Sequence, residues 1–218
     1  MGSEELRERH VALWHGAVHH PFLDGIRSGD LPESAFQTWL VQDYHFVARL
    51  LRFQALLLAQ APRADQRVLS AGLAALVAEL DWFEEQAPLH SLSLQAPLQP
   101  ACRAYTDFLI ALTHEPYPAG ITALWAVERA YLDAWAGVRP GAPAFREYVD
   151  HWTTDAFVMY VEEIAEATDR SLKLASADQM AQADGAFAWT ARYERDFWQM
   201  AFAPLRSAST PPLRRASA

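Results

Sequence analysis

Apolar residues recur along most of this chain at intervals of three and four, the spacing that turns one face of an α-helix toward a core. Runs with the period-two alternation of a strand are missing, and the helix formers Ala, Leu, Glu, Gln and Arg dominate. Proline and glycine gather between the periodic stretches. The pattern predicts a first helix over about residues 3–19, ending before Pro21. A second opens at Asp30-Leu31-Pro32-Glu33, with Pro32 near the first helical position, and runs to about Gln60. Further helices are expected over about Ala64–Gln86, Pro100–His114, Ala119–Ala136, Ala144–Asp169 and Ala175–Ala203. Pro88 to Pro100 reads as a loop. The chain is therefore expected to be all-α: a single-domain bundle of about seven helices over residues 1–205 and a disordered polar tail over 206–218. Bundles of this kind build their sites between facing helices.

Three helices carry a charge where the apolar ladder calls for a hydrophobic rung. In the second helix the ladder is Phe36, Trp39/Leu40, Phe46/Val47 and Leu50, and its missing rung is Asp43. In the fifth it is Ile121, Leu124/Trp125, Tyr131/Leu132 and Trp135, and the missing rung is Glu128. In the last it is Phe187, Ala191, Phe197/Trp198 and Ala201, with Glu194 in the gap. An inward carboxylate alone is often satisfied by a tyrosine, an arginine or the backbone. Desolvating an ionised one costs several kcal/mol unless it is paired. Three in one small bundle point to a shared polar pocket among aromatics.

Composition narrows the chemistry. The chain has 218 residues, a net charge of −9 and a single cysteine, Cys102. The acidic balance argues against a general nucleic-acid binder. One cysteine cannot close a bridge within the chain, which fits a reducing, cytoplasmic setting. No apolar run is long enough for a membrane span, and the opening MGSEELRERH has no apolar core of a signal peptide. A dimetal carboxylate site would want Glu-x-x-His pairs, and the sequence has none. His15 is the candidate for a haem ligand on the first helix, without evident basic partners for the propionates. Cys102, just inside a helix start, has no histidine suitably placed to activate it.

The string HPFLDGIRSGDLP, followed by WLVQDYHF, resembles the opening of the TenA/thiaminase II family, and YERDFWQMA resembles its last helix. LWAVERAYLDAW with the downstream HWTTDAFVMYV is similar to the TenA_E subgroup, which lacks the family's nucleophilic cysteine and carries a glutamate in the same helix. The resemblance covers about residues 10–203. It implies the haem-oxygenase-like all-α fold, a homotetramer, no metal or cofactor, and a role in thiamin salvage on the 4-amino-2-methylpyrimidine moiety. Matched residue by residue, Asp43 binds the aminopyrimidine and Phe46 stacks on it. Tyr105, Tyr131 and Phe197 line the pocket, Glu194 is the family's late glutamate, and Trp152 stands where a pocket tyrosine is usual. The cysteine position falls on Val127, next to Glu128.

The resemblance thus implies hydrolysis of 4-amino-5-aminomethyl-2-methylpyrimidine, or its N-formyl derivative, to 4-amino-5-hydroxymethyl-2-methylpyrimidine, with weak or no cleavage of thiamin. Carboxylates suit that ring: one accepts from the exocyclic amino group while another pairs with a protonated ring nitrogen. Asp43 and Glu194 are expected to recognise and activate the ring, and Glu128 to move the proton in place of the thiol. A non-catalytic pyrimidine-binding protein and a metal- or haem-dependent oxidase on the same fold are the alternatives.

Overall fold

The computed structural model describes residues 2–203; the expected tail over 206–218 lies outside the described residues. Among them there are ten helices and no strand. These are α1 (Ser3–Arg9), α2 (Val11–Val18), α3 (Pro21–Ser28), α4 (Glu33–Gln60), α5 (Gln66–Leu89), α6 (Pro100–Leu112), α7 (Tyr117–Gly137), α8 (Arg146–His151), α9 (Asp155–Leu174) and α10 (Ala177–Phe202). The all-α class holds, and the count differs from seven in three places. The first helix breaks at His10, which leaves helical geometry and closes α1 while opening α2. A short helix not anticipated, α3, starts where His20 caps the backbone N–H of Phe22 at 3.1 Å and Pro21 fixes the first turn. It stops at Gly29, whose φ of 89° is the left-handed conformation that glycine adopts without penalty. The expected sixth helix is two, α8 and α9, parted at Trp152–Thr154, where the Thr154 hydroxyl accepts from the N–H of Phe157 and caps α9.

The centre of the bundle is α7. From Ala119 to Trp135 nearly every side chain is buried, on all faces, the signature of a helix enclosed by others. Ala123, Ala126, Ala130 and Ala134 keep it slim, and α2, α4, α6, α9 and α10 pack around it. α10 lies along α7, and α4 pairs with α5. The largest fully buried side chains are aromatic: Trp39, Trp125, Trp135, Trp198, Tyr105, Phe22, Phe53, Phe83 and Phe187. Any polar group on the inner face of α7 is therefore held at the middle of the molecule. No helix among the described residues is long and apolar enough to cross a membrane.

The loop before α6 is fastened to α4. Gln42 accepts from the N–H of Gln99 at 2.8 Å and donates to the carbonyl of Pro97 at 3.0 Å, and His45 bonds the carbonyl of Ala96. These bonds satisfy backbone groups of a segment with no ladder of its own and fix the start of α6.

Candidate active site

Two adjoining cavities lie between α4, α5, α6, α7, α9 and α10. The larger has an empty volume of about 360 Å³ and the smaller about 170 Å³. Asp43, Phe46 and Tyr131 line both and so form the seam between them. Tyr105, Glu194 and Phe197 complete the smaller cavity. Glu128, Val127 and Trp152 face the larger one, together with Val47, Leu50, Leu76, Glu79 and Phe157. All eight side chains singled out in the sequence thus stand around these two adjoining cavities, although four different helices and the α8–α9 corner supply them.

Glu79 on α5 had not been anticipated. It fills the rung between Leu76 and Phe83, the same substitution on an apolar ladder that marks the other three carboxylates. Each of the four helices also places an aromatic three residues after its acid: Asp43 and Phe46, Glu79 and Trp82, Glu128 and Tyr131, Glu194 and Phe197. That spacing sets acid and ring on one helical face. It was readable in the sequence.

Three of the acids have a dedicated donor. The Tyr131 hydroxyl donates to Asp43 in a very short bond and accepts from Trp39 Nε1 at 3.3 Å. The Tyr105 hydroxyl donates to Glu194 Oε1 at 2.5 Å. Trp152 Nε1 donates to Glu79 Oε1 at 2.7 Å. Glu128 is the exception: its Oε1 is buried and has no hydrogen-bond partner among the described residues.

No arginine, lysine or histidine lines either cavity. Burial therefore dominates the electrostatics, and the acids add to it by repelling one another. Burial pushes Glu128 up to about 8, with Glu79, Glu194 and Asp43 adding to the rise. Glu194 is also raised to about 8 by burial, against the Tyr105 bond that favours its charged form. Burial lifts Asp43 well above the ordinary carboxylate range, opposed by its bond from Tyr131 and reinforced by Glu79 and Glu194. Burial raises Glu79 to about 7, against the bond from the Trp152 indole that favours its anion. Burial and the adjacent carboxylates hold Tyr105 and Tyr131 as neutral donors. The result is a site that holds protons near neutral pH and favours a ligand bringing positive charge or N–H donors.

The walls suit a flat ring. Phe46 lies 4.9 Å from the Tyr105 ring and 5.6 Å from Phe197, centroid to centroid. Behind them Tyr131 stacks on Trp198 at 5.7 Å and Trp152 on Trp135 at 5.0 Å, so the polar groups are braced by indoles. Cys102 is fully buried outside both cavities, with Sγ 3.5 Å from the carbonyl oxygen of Gln42, and burial pushes its thiol up to about 12. Val127, at the position matched to the family cysteine, offers only methyl groups to the larger cavity. His15 is exposed and stacks on His19 at 4.2 Å, away from this space. Among the described residues no cluster of three or more histidine, cysteine or acidic side chains is arranged to hold a metal ion.

Known proteins resemble this chain in sequence and fold. The TENA/THI-4/PQQC family model matches residues 7–203. A probable bifunctional TENA-E protein of Glycine max is 30% identical over 210 residues, covering 91% of this chain and 92% of its own. An aminopyrimidine aminohydrolase of Halalkalibacterium halodurans is 25% identical, covering 92% of this chain and 95% of its own. Among solved structures, a TenA homologue from Pyrococcus furiosus superposes with a TM-score of 0.88 at 29% identity, covering 93% of this chain and all of the other. With the family model spanning nearly the whole described chain, and the ladder acids and aromatics gathered at one buried site, the chain belongs to the TENA/THI-4/PQQC family.

Proposed function

We propose that the protein is an aminopyrimidine hydrolase of thiamin salvage, converting the aminomethyl pyrimidine, its N-formyl derivative or both to the hydroxymethyl pyrimidine. The observation that carries this is a buried, cation-free pocket in which acids alternate with aromatic faces. An aminopyrimidine offers what such a pocket lacks: an amino donor, a ring nitrogen that can be protonated, and two flat apolar faces. Asp43 and Glu194, each already oriented by a tyrosine hydroxyl, hold the amino group and the ring nitrogen through charge-assisted bonds. Phe46 and Phe197 enclose the ring, with Tyr105, Tyr131 and Trp152 closing the walls. The substituent then extends into the larger cavity beside Glu128, whose unpartnered oxygen is free to exchange a proton with it.

The relatives named as aminopyrimidine aminohydrolases support the substrate class. Thiamin itself should be cleaved weakly or not at all. Expelling the thiazole calls for a nucleophile at the position of Val127, and the one thiol of the chain is buried elsewhere with its pKa raised. We take the protein to work in the cytoplasm as a homo-oligomer, a tetramer by resemblance. The test is turnover of the aminopyrimidine, its N-formyl derivative and thiamin by the same preparation. Hydrolysis of either pyrimidine with little thiamin cleavage is expected. Tight binding without turnover, or rapid thiamin cleavage that survives replacement of Cys102, would sink the proposal.

A further inference from the structure

Beyond the larger cavity lies an outer one, of about 540 Å³, that opens between α5, the α8–α9 corner and α9. The two share Glu79, Trp152 and Phe157, so these three side chains form the partition between the inner site and the outer space. Glu79 is the only acid in that partition, and its carboxylate is fixed at 2.7 Å by the Trp152 indole. Glu128 sits deeper, on the central helix, with its Oε1 unpartnered. The two acids therefore flank the space where the substituent of a bound ring would lie, one at the side from which water arrives and one at the closed side.

We propose that Glu79 is the general base of the reaction, activating water drawn from the outer cavity, and that Glu128 is the general acid. This assignment rests on the hydrolase reading above and divides labour that the reading leaves open. In the net step Glu79 takes a proton from water, and the water oxygen bonds to the carbon that carries the leaving nitrogen. The carbon–nitrogen bond breaks with its electron pair on nitrogen, and Glu128 supplies the proton that completes the amine or ammonia. The cycle closes when one proton returns from Glu79 to Glu128 through solvent. The same pair serves both substrates: the attacked carbon is the ring-borne methylene in the free amine, and in the N-formyl compound it is first the acyl carbon, which releases formate and leaves the free amine for a second hydrolysis at the methylene. Two acids in unequal surroundings can hold opposite roles at one pH. The Trp152 indole bond favours the anion at Glu79, whereas Glu128 has an unpartnered Oε1 and its proton is favoured by burial and by the neighbouring acids.

Glutamine is the informative replacement, because its amide oxygen can still accept the Trp152 N–H while the side chain can no longer take up a proton. Glu79→Gln should lower kcat on the aminopyrimidine by about 10²–10⁴-fold, the usual contribution of acid–base catalysis, with affinity for the hydroxymethyl product kept within about threefold. Because both groups serve one step, the Glu79→Gln, Glu128→Gln double variant should fall well short of the product of the two single losses. Added formate should restore part of the activity of Glu79→Ala, since a small carboxylate can enter from the outer cavity; a merely structural role would give no such rescue. If Glu79→Gln melts well below the parent, the formate rescue of Glu79→Ala decides, and its absence overturns the assignment. Parental turnover by a folded Glu79→Gln likewise overturns the role of Glu79 while leaving the hydrolase reading intact. A parent protein inactive on both pyrimidines overturns both.

Discussion

Glu128 is where the single-residue logic is sharpest, since it is an acid on the most enclosed helix whose Oε1 has no hydrogen-bond partner among the described residues. Replaced by glutamine, it should keep the pocket shape and lose its proton, so kcat should drop by about 10²–10⁴-fold. Affinity for the hydroxymethyl product should change far less, because Asp43 and Glu194 still hold the ring. Steady-state kinetics and calorimetry on one sample check both halves. The same variant tests the electrostatics. The carboxyl titrates near 4.5 when exposed and near 8 in the folded protein. The folded state thus holds the proton more tightly. The stabilisation from this is complete below the ordinary value and is lost as pH rises toward about 8. Parent and Glu128→Gln should therefore melt closest together at or below about pH 4.5, with the variant melting progressively higher as the pH rises from there toward about 8 and the gap levelling off above it. Identical melting differences across the range would mean that Glu128 is not held protonated by the fold. Glu79 shows the limit of reading single positions. Glu79, Asp81, Glu84 and Glu85 crowd within seven residues of α5, so the inward-facing member does not stand out by charge. Its place between Leu76 and Phe83, with Trp82 three residues on, is what separates it from the solvated three.

At the scale of elements, the packing of α4, α5 and α9 depends on an absent side chain. A Cβ on Gly72 would come within 2.1 Å of the Tyr160 hydroxyl and 2.2 Å of Gln54 Nε2. The Tyr160 hydroxyl itself donates to Gln54 Oε1 at 3.2 Å. Gly72→Ala should break that bond and push α9 away from α5, costing about 1–3 kcal/mol as overpacking does. A chemical denaturation midpoint shifted by that amount checks it; an unchanged midpoint would show that α9 can move freely. Long helices were legible because a ladder of four or more rungs leaves few alternatives, as in α4 and α7. Short ones were not. α3 has only eight residues, and the His20-Pro21 pair that ends one helix also opens the next. The break between α8 and α9 has no glycine or proline to announce it; a threonine cap and the turn of Trp152 and Thr153 make it. That corner matters to the site, since it aims Trp152 at Glu79.

For the molecule as a whole, the four acids come from α4, α5, α7 and α10, so the site exists only once the bundle has closed. Their mutual repulsion then works against the fold that made them neighbours. A ligand that supplies positive charge or N–H donors relieves this and ties the four helices together. Product at a hundred times its dissociation constant should add about 2.7 kcal/mol, or roughly 5–10 °C in Tm for a chain of this size. A thermal shift series against product concentration checks this, and thiamin fragments lacking the pyrimidine should give none.

The crowding of indoles about Tyr131 has an optical consequence. Trp135, Trp152 and Trp198 have their rings within 5.5–6.3 Å of Tyr131 or of one another in several pairings, and Trp39 bonds its hydroxyl. Half of the eight tryptophans in the chain therefore stand at the wall of the pocket or directly behind it, and Trp152 faces the larger cavity directly. The protein's own emission should change in intensity or colour when a pyrimidine enters, and a stopped-flow trace on unlabelled protein would then time the filling and emptying of the site.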